Sequence, residues 1–432
     1  MQLESAPRTS RLRLRLGAAA CMLMASGAAA HAQAPDSSAS NQLETSLLVY
    51  GEKQRTNVVE PTAKITHLYG NGQALSAQLG IDVITGASPT GAIVSNQVQT
   101  MTSASGSTST TSSAQLPTHK FNDLRGVIDL GWLSPLGRLA RSEAGGHYSR
   151  EKDYQSLGAS ERLSVDLFQR LVTVSVGGSY DHDGVFPVGG TPAPLSTNWV
   201  IISHDTQGKD VATGTVGLSR ILTRRWMVAL DGSRTVERGY LTEPYKIVSL
   251  VSPDSMVAVG SVTEGRPSMR DRRSLMGSSV YHLGGEDVLY LSYRYYWDDW
   301  GVISNTIDAH YRRDFDNRSF FQPHLRLYTQ TAANFFTFGL PNGAPLPAFA
   351  TADQRLGPLH SVTLGASYGF RVPDHPGEFT VRAEWIHQWG DGPTLGAGGG
   401  GGGEGEGEAG QGLSLFPALD IGTLVAGYTV SF

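Results

Sequence analysis

The chain has 432 residues, with 34 Lys and Arg against 39 Asp and Glu, a formal charge of −5. Residues 1–32 hold four Arg (Arg8, Arg11, Arg13, Arg15) and one acid, Glu4, so the remainder carries 30 basic and 38 acidic residues, net −8. That balance excludes a nucleic-acid binder, whose affinity rests on neutralised phosphates. A mean hydropathy of −0.19 excludes a bundle of apolar helices, and 52 Gly with 16 Tyr, 14 Phe and 7 Trp suit β structure with many tight turns.

The first element is a secretory signal. After the four Arg comes a short apolar run, Leu16 to Ala30, and then Ala30-His31-Ala32 before Gln33. A basic start, an apolar centre and small residues at −3 and −1 are what export and cleavage require. A membrane anchor needs about 20 apolar residues, more than this run supplies. Cys21 invites a lipoprotein reading, but Ala18 stands where a lipid-attachment box wants Leu. Cleavage after Ala32 leaves a mature chain without cysteine, which excludes disulfides, thiol catalysis and thiolate metal sites. Residues 33–42 then form a short periplasmic segment.

From residue 43 the hydrophobic period is two. In 286–299, Leu289, Leu291, Tyr293, Tyr295 and Trp297 alternate with Ser292, Arg294, Tyr296 and Asp298. Alternate side chains of a strand point to opposite faces, so one face is apolar and the other polar. The split recurs at 171–181, 359–370 and 379–386. Strands are predicted near 43–52, 61–70, 73–86, 122–133, 141–150, 155–167, 171–183, 209–222, 225–238, 268–282, 286–298, 301–314, 318–332, 358–371, 377–389 and 419–432. Short links (70–72, 168–170, 223–224, 284–285, 316–317, 373–374) alternate with long ones (87–120, 184–206, 239–267, 335–357, 390–417). Three shorter outer links fall near 52–60, 151 and 299. Short turns on one side and long loops on the other are the pattern of outer-membrane barrels.

The predicted fold is therefore all-β, a transmembrane antiparallel barrel of about sixteen strands over 43–432, with short periplasmic turns and long extracellular loops. Closure pairs every backbone group in hydrocarbon and leaves no edge. The last strand ends on one apolar face, Leu424, Ala426, Tyr428, Val430 and Phe432. This resembles the C-terminal signature that the barrel-assembly machinery reads, with Tyr428, Val430 and Phe432 as its anchors. Trp132, Trp226, Trp297, Trp300, Trp385 and Trp389 near strand ends fit interfacial girdles against outer-membrane lipid. One residue breaks the pattern: Glu161 falls on the lipid face, which points to a bulge or another register there.

Four stretches carry a resemblance. They are Asp82-Val-Ile-Thr-Gly-Ala-Ser-Pro-Thr-Gly91, Phe121-Asn-Asp-Leu-Arg125, Leu325-Arg-Leu-Tyr-Thr-Gln-Thr-Ala-Ala-Asn334-Phe-Phe, and Ala352-Asp-Gln-Arg-Leu356. With them the mature chain, from about residue 42, resembles the DUF3570 family of bacterial secreted β-barrel proteins. Asn334 and Gln354 depart slightly from the family pattern, where Asp and an aromatic are expected. The resemblance implies no established activity, and an association with secreted redox or flavin-attachment proteins. It carries no residue-level chemistry.

Candidate sites are few. Gly86 to Gly91 reads as a strand-to-loop turn ordered by Ser88 and Pro89, since no helix start or His–acid pair accompanies it. Asp181-His182-Asp183-Gly184 reads as a solvated loop base, since calcium wants five or more oxygens from a defined loop. Gly396–Gly412 is an acidic flexible loop and Met101–Gln115 a Ser/Thr-rich surface loop. Twelve His without HxxxH or HxH spacing give no metal case. No catalytic, cofactor-binding or metal residue is expected. The polar faces are more informative together: Arg125, Asp129, Arg162, Asp166, Arg220, Arg294, Asp308, His310, Arg312, Arg326, Arg382 and Glu384 all fall on predicted inward positions. They read as Arg–carboxylate braces or as the selective lining of a water-filled lumen. Two functions follow, a charged channel or solute porin and a non-transporting barrel serving a secreted redox partner.

Overall fold

A computed structural model describes residues 40–432 apart from 54, 94–98, 103–107, 112–117, 198–199, 254–257, 286, 316–317, 372, 374–375, 393 and 396–412. The predicted signal peptide and its cleavage site, most of Met101–Gln115, the Gly396–Gly412 loop and the turn residues 316–317 and 374 lie outside the described residues.

Sixteen antiparallel strands close into one barrel. They are β1 (Ser40–Glu52), β2 (Thr56–Leu68), β3 (Ala74–Pro89), β4 (Thr118–Leu136), β5 (Ala140–Arg150), β6 (Tyr154–Leu167), β7 (Val172–Val185), β8 (Gln207–Thr223), β9 (Trp226–Gly239), β10 (Met269–Gly284), β11 (Asp287–Asp298), β12 (Ile303–Phe315), β13 (Ser319–Gln330), β14 (Leu359–Arg371), β15 (Gly377–Gly390) and β16 (Leu419–Ser431). Each pairs with its neighbours in chain order, and β1 closes on β16 from Gln42↔Ser431 to Glu52↔Ile421. Two backbone hydrogen bonds lock the seam, Asn41 N to Phe432 O at 2.7 Å and Phe432 N to Asn41 O at 2.8 Å.

The alternation fixes which face looks out. Leu79 is 59 % exposed, Leu124 62 % and Leu157 62 %, while Asp82 and Ile84 on the inner face of β3 are 1 % and 2 % exposed. In water such a surface of apolar side chains is unsustainable; against lipid it is the stable arrangement. Trp132, Trp226, Trp385 and Trp389 are exposed on this outer surface, where interfacial rings belong.

Four expectations are corrected. Glu161 points outward in an unbroken register, opposite Ala144 and Gly178, so the strand has neither bulge nor shift there. Ser142 Oγ, on the same outer face, donates to Glu161 Oε1 at 2.5 Å and supplies its polar partner. Arg220 shares the outer face of Leu218 and lies opposite Val172 and Val228, because β8 keeps its alternation to Ile221. Trp300 is no girdle residue: it is 4 % exposed, donates Nε1–H to Met269 O at 2.8 Å and stacks on Arg270. Asp181 to Gly184 belongs to β7 rather than to a loop base, with Asp183 buried against Lys209 and His182 Nδ1 2.8 Å from Asp210.

Candidate functional site

The lumen has two walls of opposite tendency. From β2 to β9 the inward positions carry Glu60, Asp82, Asp123, Asp129, Glu143, Asp166, Asp181, Asp183, Asp231 and Glu237, against Lys64, Arg125, Arg141, Arg162 and Lys209. From β10 to β15 they carry Arg270, Arg272, Arg294, Arg312, Arg326 and Arg382, against Asp298, Asp308, Asp314 and Glu384. The strands that separate in sequence therefore separate charge across the barrel.

All eight residues singled out for the lumen sit on inward faces, and all but Arg294 are ion-paired or hydrogen-bonded to neighbours on the wall. Arg125 pairs with buried Asp82 across β3 and β4. Asp129 Oδ1 lies 2.6 Å from His147 Nδ1. Arg312 binds Asp314 at 2.8 Å and lies over Phe320 at 3.7 Å. Asp308 is the hub of the basic wall: His310 Nε2 is 2.7 Å away, His324 Nε2 3.1 Å, and Arg326 Nε donates to it at 2.6 Å. His324 reaches on to Glu384 at 3.0 Å, and Arg382 stands 3.8 Å from the same carboxylate. Arg294 lies over Tyr296 at 5.8 Å. Tyr428 and Val430 face outward, Tyr428 packs 4.6 Å from Phe379, and Phe432 is exposed.

Two constellations were invisible in the sequence because they form across strands. Asp308, His310 and His324 bring one ligand atom each within 4.8 Å of one another, although no HxH spacing marks them. The imidazoles stack at 4.0 Å and 9°, so their in-plane lone pairs point along parallel planes and do not converge on one ion without rotating a ring. The second is Asp129–His147–Ser149, with His147 Nε2 3.3 Å from Ser149 Oγ. Its order matches a nucleophile, base and orienting acid. Ser149 is buried, and the surrounding backbone N–H groups are engaged in the β4–β5–β6 ladder, so among the described residues the ladder leaves no backbone donor there for an oxyanion. The set is chemically a brace.

The loop end of the lumen is packed. Ile247–Val251 pairs antiparallel with Ala258–Thr263 and parallel with Leu340–Pro341, a small sheet built from two loops. Val248, Val262, Ala350 and Ala352 form its core, and Ile93 and Leu415 pack on it beside Val251. Further ties come from around the rim. Ile247 N donates to Thr90 O at 2.9 Å, Ile93 N to Ser249 Oγ at 3.1 Å, Tyr245 Oη to Asp153 Oδ2 at 2.6 Å and Thr263 Oγ1 to Ala193 O at 2.6 Å. The inward ends of the strands are buried beneath this cap in every sector, among them Thr56, Asp82, Ser156, Asp183, Glu237, Arg270, Ser304 and Leu359. Toward the short-turn end the same faces open: the Asp129 side chain is 39 % exposed and Glu143 37 %.

Inside the cap lies a charge-balanced cluster of Glu243, Lys246, Glu264, Arg266, Asp353 and Arg355. Arg266 bridges Glu264 at 2.7 Å and Asp353 at 3.0 Å, and Arg355 grips Asp353. Glu264 accepts from Thr351 Oγ1 at 2.5 Å and from Glu243 N at 2.7 Å. Burial pushes the Glu264 carboxyl up and the Lys246 ammonium down. Burial also disfavours the Asp353 anion, but Arg355 and Lys246 overcome it and hold that carboxyl well below its ordinary range.

The four stretches that carried the resemblance meet here. Asp82 pairs with Arg125. Gly91 takes φ +94°, and a Cβ there would sit 2.4 Å from Ile247 O and 3.5 Å from Ala352. Asn334 N donates to Trp300 O at 2.8 Å, and Ala333 N to Leu356 O at 2.8 Å. Leu356, Ala333, Trp300 and Val302 form one cluster.

Residues 13–402 match a family model described as protein of unknown function (DUF3570). No curated protein matches the chain. Among solved structures, it is similar to Pseudomonas aeruginosa OccK3 (OpdO), at 9 % identity and TM-score 0.39 over 91 % of this chain and 96 % of that one. The Pseudomonas aeruginosa outer membrane protein opdK gives 8 % and 0.41 over 91 % and 99 %. The Pseudomonas putida toluene transporter TodX gives 10 % and 0.38 over 92 % and 90 %. Likeness at this level says nothing of cargo.

Proposed function

The chain belongs to the DUF3570 family, and we propose that its barrel is an outer-membrane channel for small charged solutes, gated at the extracellular mouth by its own loops. One observation carries the reading: below the cap, charged groups of opposite tendency face each other across a lumen whose walls remain open. A barrel braced only for rigidity has no use for such a separation of charge. A field across the lumen orients a dipolar solute and discriminates by charge.

On this reading the chain is exported with cleavage after Ala32, the assembly machinery reads the strand ending Tyr428, Val430 and Phe432, and the apolar face rests in outer-membrane lipid. No catalysis is assigned, and no cofactor.

The test is single-channel recording on the purified full chain, with reversal potentials in a salt gradient. Wild type gives discrete conductance steps. Arg382→Glu, whose side chain is 43 % exposed to the lumen, shifts selectivity toward cations while assembly stays intact. A barrel that folds and never conducts sinks the channel. The surviving reading is then a cup open to the periplasm, which the packed loop end favours, serving a secreted redox partner of the kind the resemblance implies.

A further inference from the structure

We infer that Arg294 and Arg326 form a binding subsite on the basic wall for a small dianion, a phosphate or a dicarboxylate. The inference deepens the channel reading by naming a solute class, and it rests on that reading for its purpose.

Arg294 is the odd member of its wall. Arg270 is paired with Asp298, Arg272 with Glu237, Arg312 with Asp314 and Arg326 with Asp308. The Arg294 guanidinium makes no salt bridge among the described residues and lies over the Tyr296 ring at 5.8 Å. A half-buried guanidinium without an anion is costly, so a bound counter-charge is needed to offset it.

The neighbouring carboxylates cannot do so. Directly across from Arg294 are Met276 on β10 and Thr306 on β12. The diagonal acid, Asp308, is already occupied by His310, His324 and Arg326. Asp298, four residues along β11, is engaged by Arg270, by the Tyr296 hydroxyl at 2.7 Å and by Val302 N at 2.8 Å.

Arg326 completes the pair. It uses Nε on Asp308, and its side chain is 51 % exposed to the lumen. The register sets Arg294 opposite Thr306 and Arg326 opposite Asp308. Two strand spacings and a two-residue offset then put their Cα atoms about 12 Å apart. Two guanidiniums reaching from that separation meet on one doubly charged ligand, and the planar fork suits phosphate or carboxylate oxygens. Thr306, an inward residue of the strand between them and level with Arg294, supplies a hydroxyl, while Tyr328 beside it donates its own to Gln330.

The experiment is calorimetric titration of inorganic phosphate, and separately succinate, into the purified full-length barrel in detergent, with the conductance recording run in parallel. Wild type binds saturably. Arg294→Gln weakens binding at least tenfold and Arg294→Lys restores part of it, with heat-modifiable migration confirming that each variant is folded. If Arg294→Gln binds both anions as wild type does, or if wild type binds neither, the subsite is wrong. Arg326→Gln also releases Asp308, so the two Arg294 variants decide the matter should that third variant not fold. Conductance without anion binding overturns the subsite and leaves the channel standing. Binding that persists in a barrel that never conducts overturns the channel and leaves the subsite.

Discussion

Asp82 and Arg125 show what one pair does in this barrel. Asp82 is 1 % exposed and Arg125 answers it across β3 and β4. Removing one partner of a buried pair leaves an uncompensated charge, at a cost of about 3–5 kcal/mol. Asp82→Asn is therefore expected to lower resistance to urea in detergent by that order, and Asp82→Asn with Arg125→Met to recover most of it. A single variant as stable as wild type would show that the pair contributes nothing. Both residues stand in stretches that marked the family resemblance, and Arg125 was legible as inward from its strand alone. Their pairing was not, since periodicity within a strand says nothing about which strand lies beside it. The same limit hid Asp129–His147–Ser149 and the Asp308–His310–His324 group, which exist only across the sheet.

At the scale of the strand, the sequence was most legible and its one misfit was instructive. All sixteen strands fall close to where period two placed them, because lipid on one side and water on the other impose the same alternation on each. Glu161 obeyed that alternation even though its chemistry argued against it. A β6 bulge would have moved every following side chain to the wrong face, a larger penalty than one carboxyl beside Ser142. Replacing Glu161 by Leu is thus expected to raise unfolding stability in bilayers, by less than the about 2–4 kcal/mol that Arg or Lys costs at the midplane. A loss of stability, or slower assembly, would mean that the Ser142–Glu161 hydrogen bond serves a contact on the outer surface. Trp300 was misplaced because near strand ends parity no longer tells a rim position from a packed one, whereas Arg220 was misplaced although the parity of Val216 and Leu218 runs through it unbroken.

At the scale of the molecule, the long loops were legible as long, but their fold was not. The apolar runs Ile247–Val251 and 335–340 inside the links were signs of packing, but composition alone does not say which connections meet over the mouth. The cap holds its charged cluster at net balance, three cations against three anions, so its stability depends on protonation. Asp353 is the sensitive member. Its carboxyl lies well below the usual range because Arg355 and Lys246 hold the anion against burial. A depressed value means that the stabilisation is present above the unfolded value of about 3.9 and is lost as pH falls through the folded value. Glu264 has the opposite sign: burial raises it, so its own contribution favours the folded cap at low pH and is lost as pH rises through the folded value. The Asp353 contribution is therefore whole above about 4 and is lost as pH falls further, through the folded value well below that, where the loops release. Amide hydrogen exchange of residues 247–251 and 258–263, corrected for intrinsic rates, is expected to rise sharply on that acid limb while the strands stay protected. Asp353→Asn removes the anion that Arg266 and Arg355 share, so its cap exchanges at pH 7 as the wild-type cap does in acid. A flat profile in wild type, or protection in Asp353→Asn equal to wild type at pH 7, would show that apolar packing around Val248 and Val262 holds the mouth and that the charges only fill it.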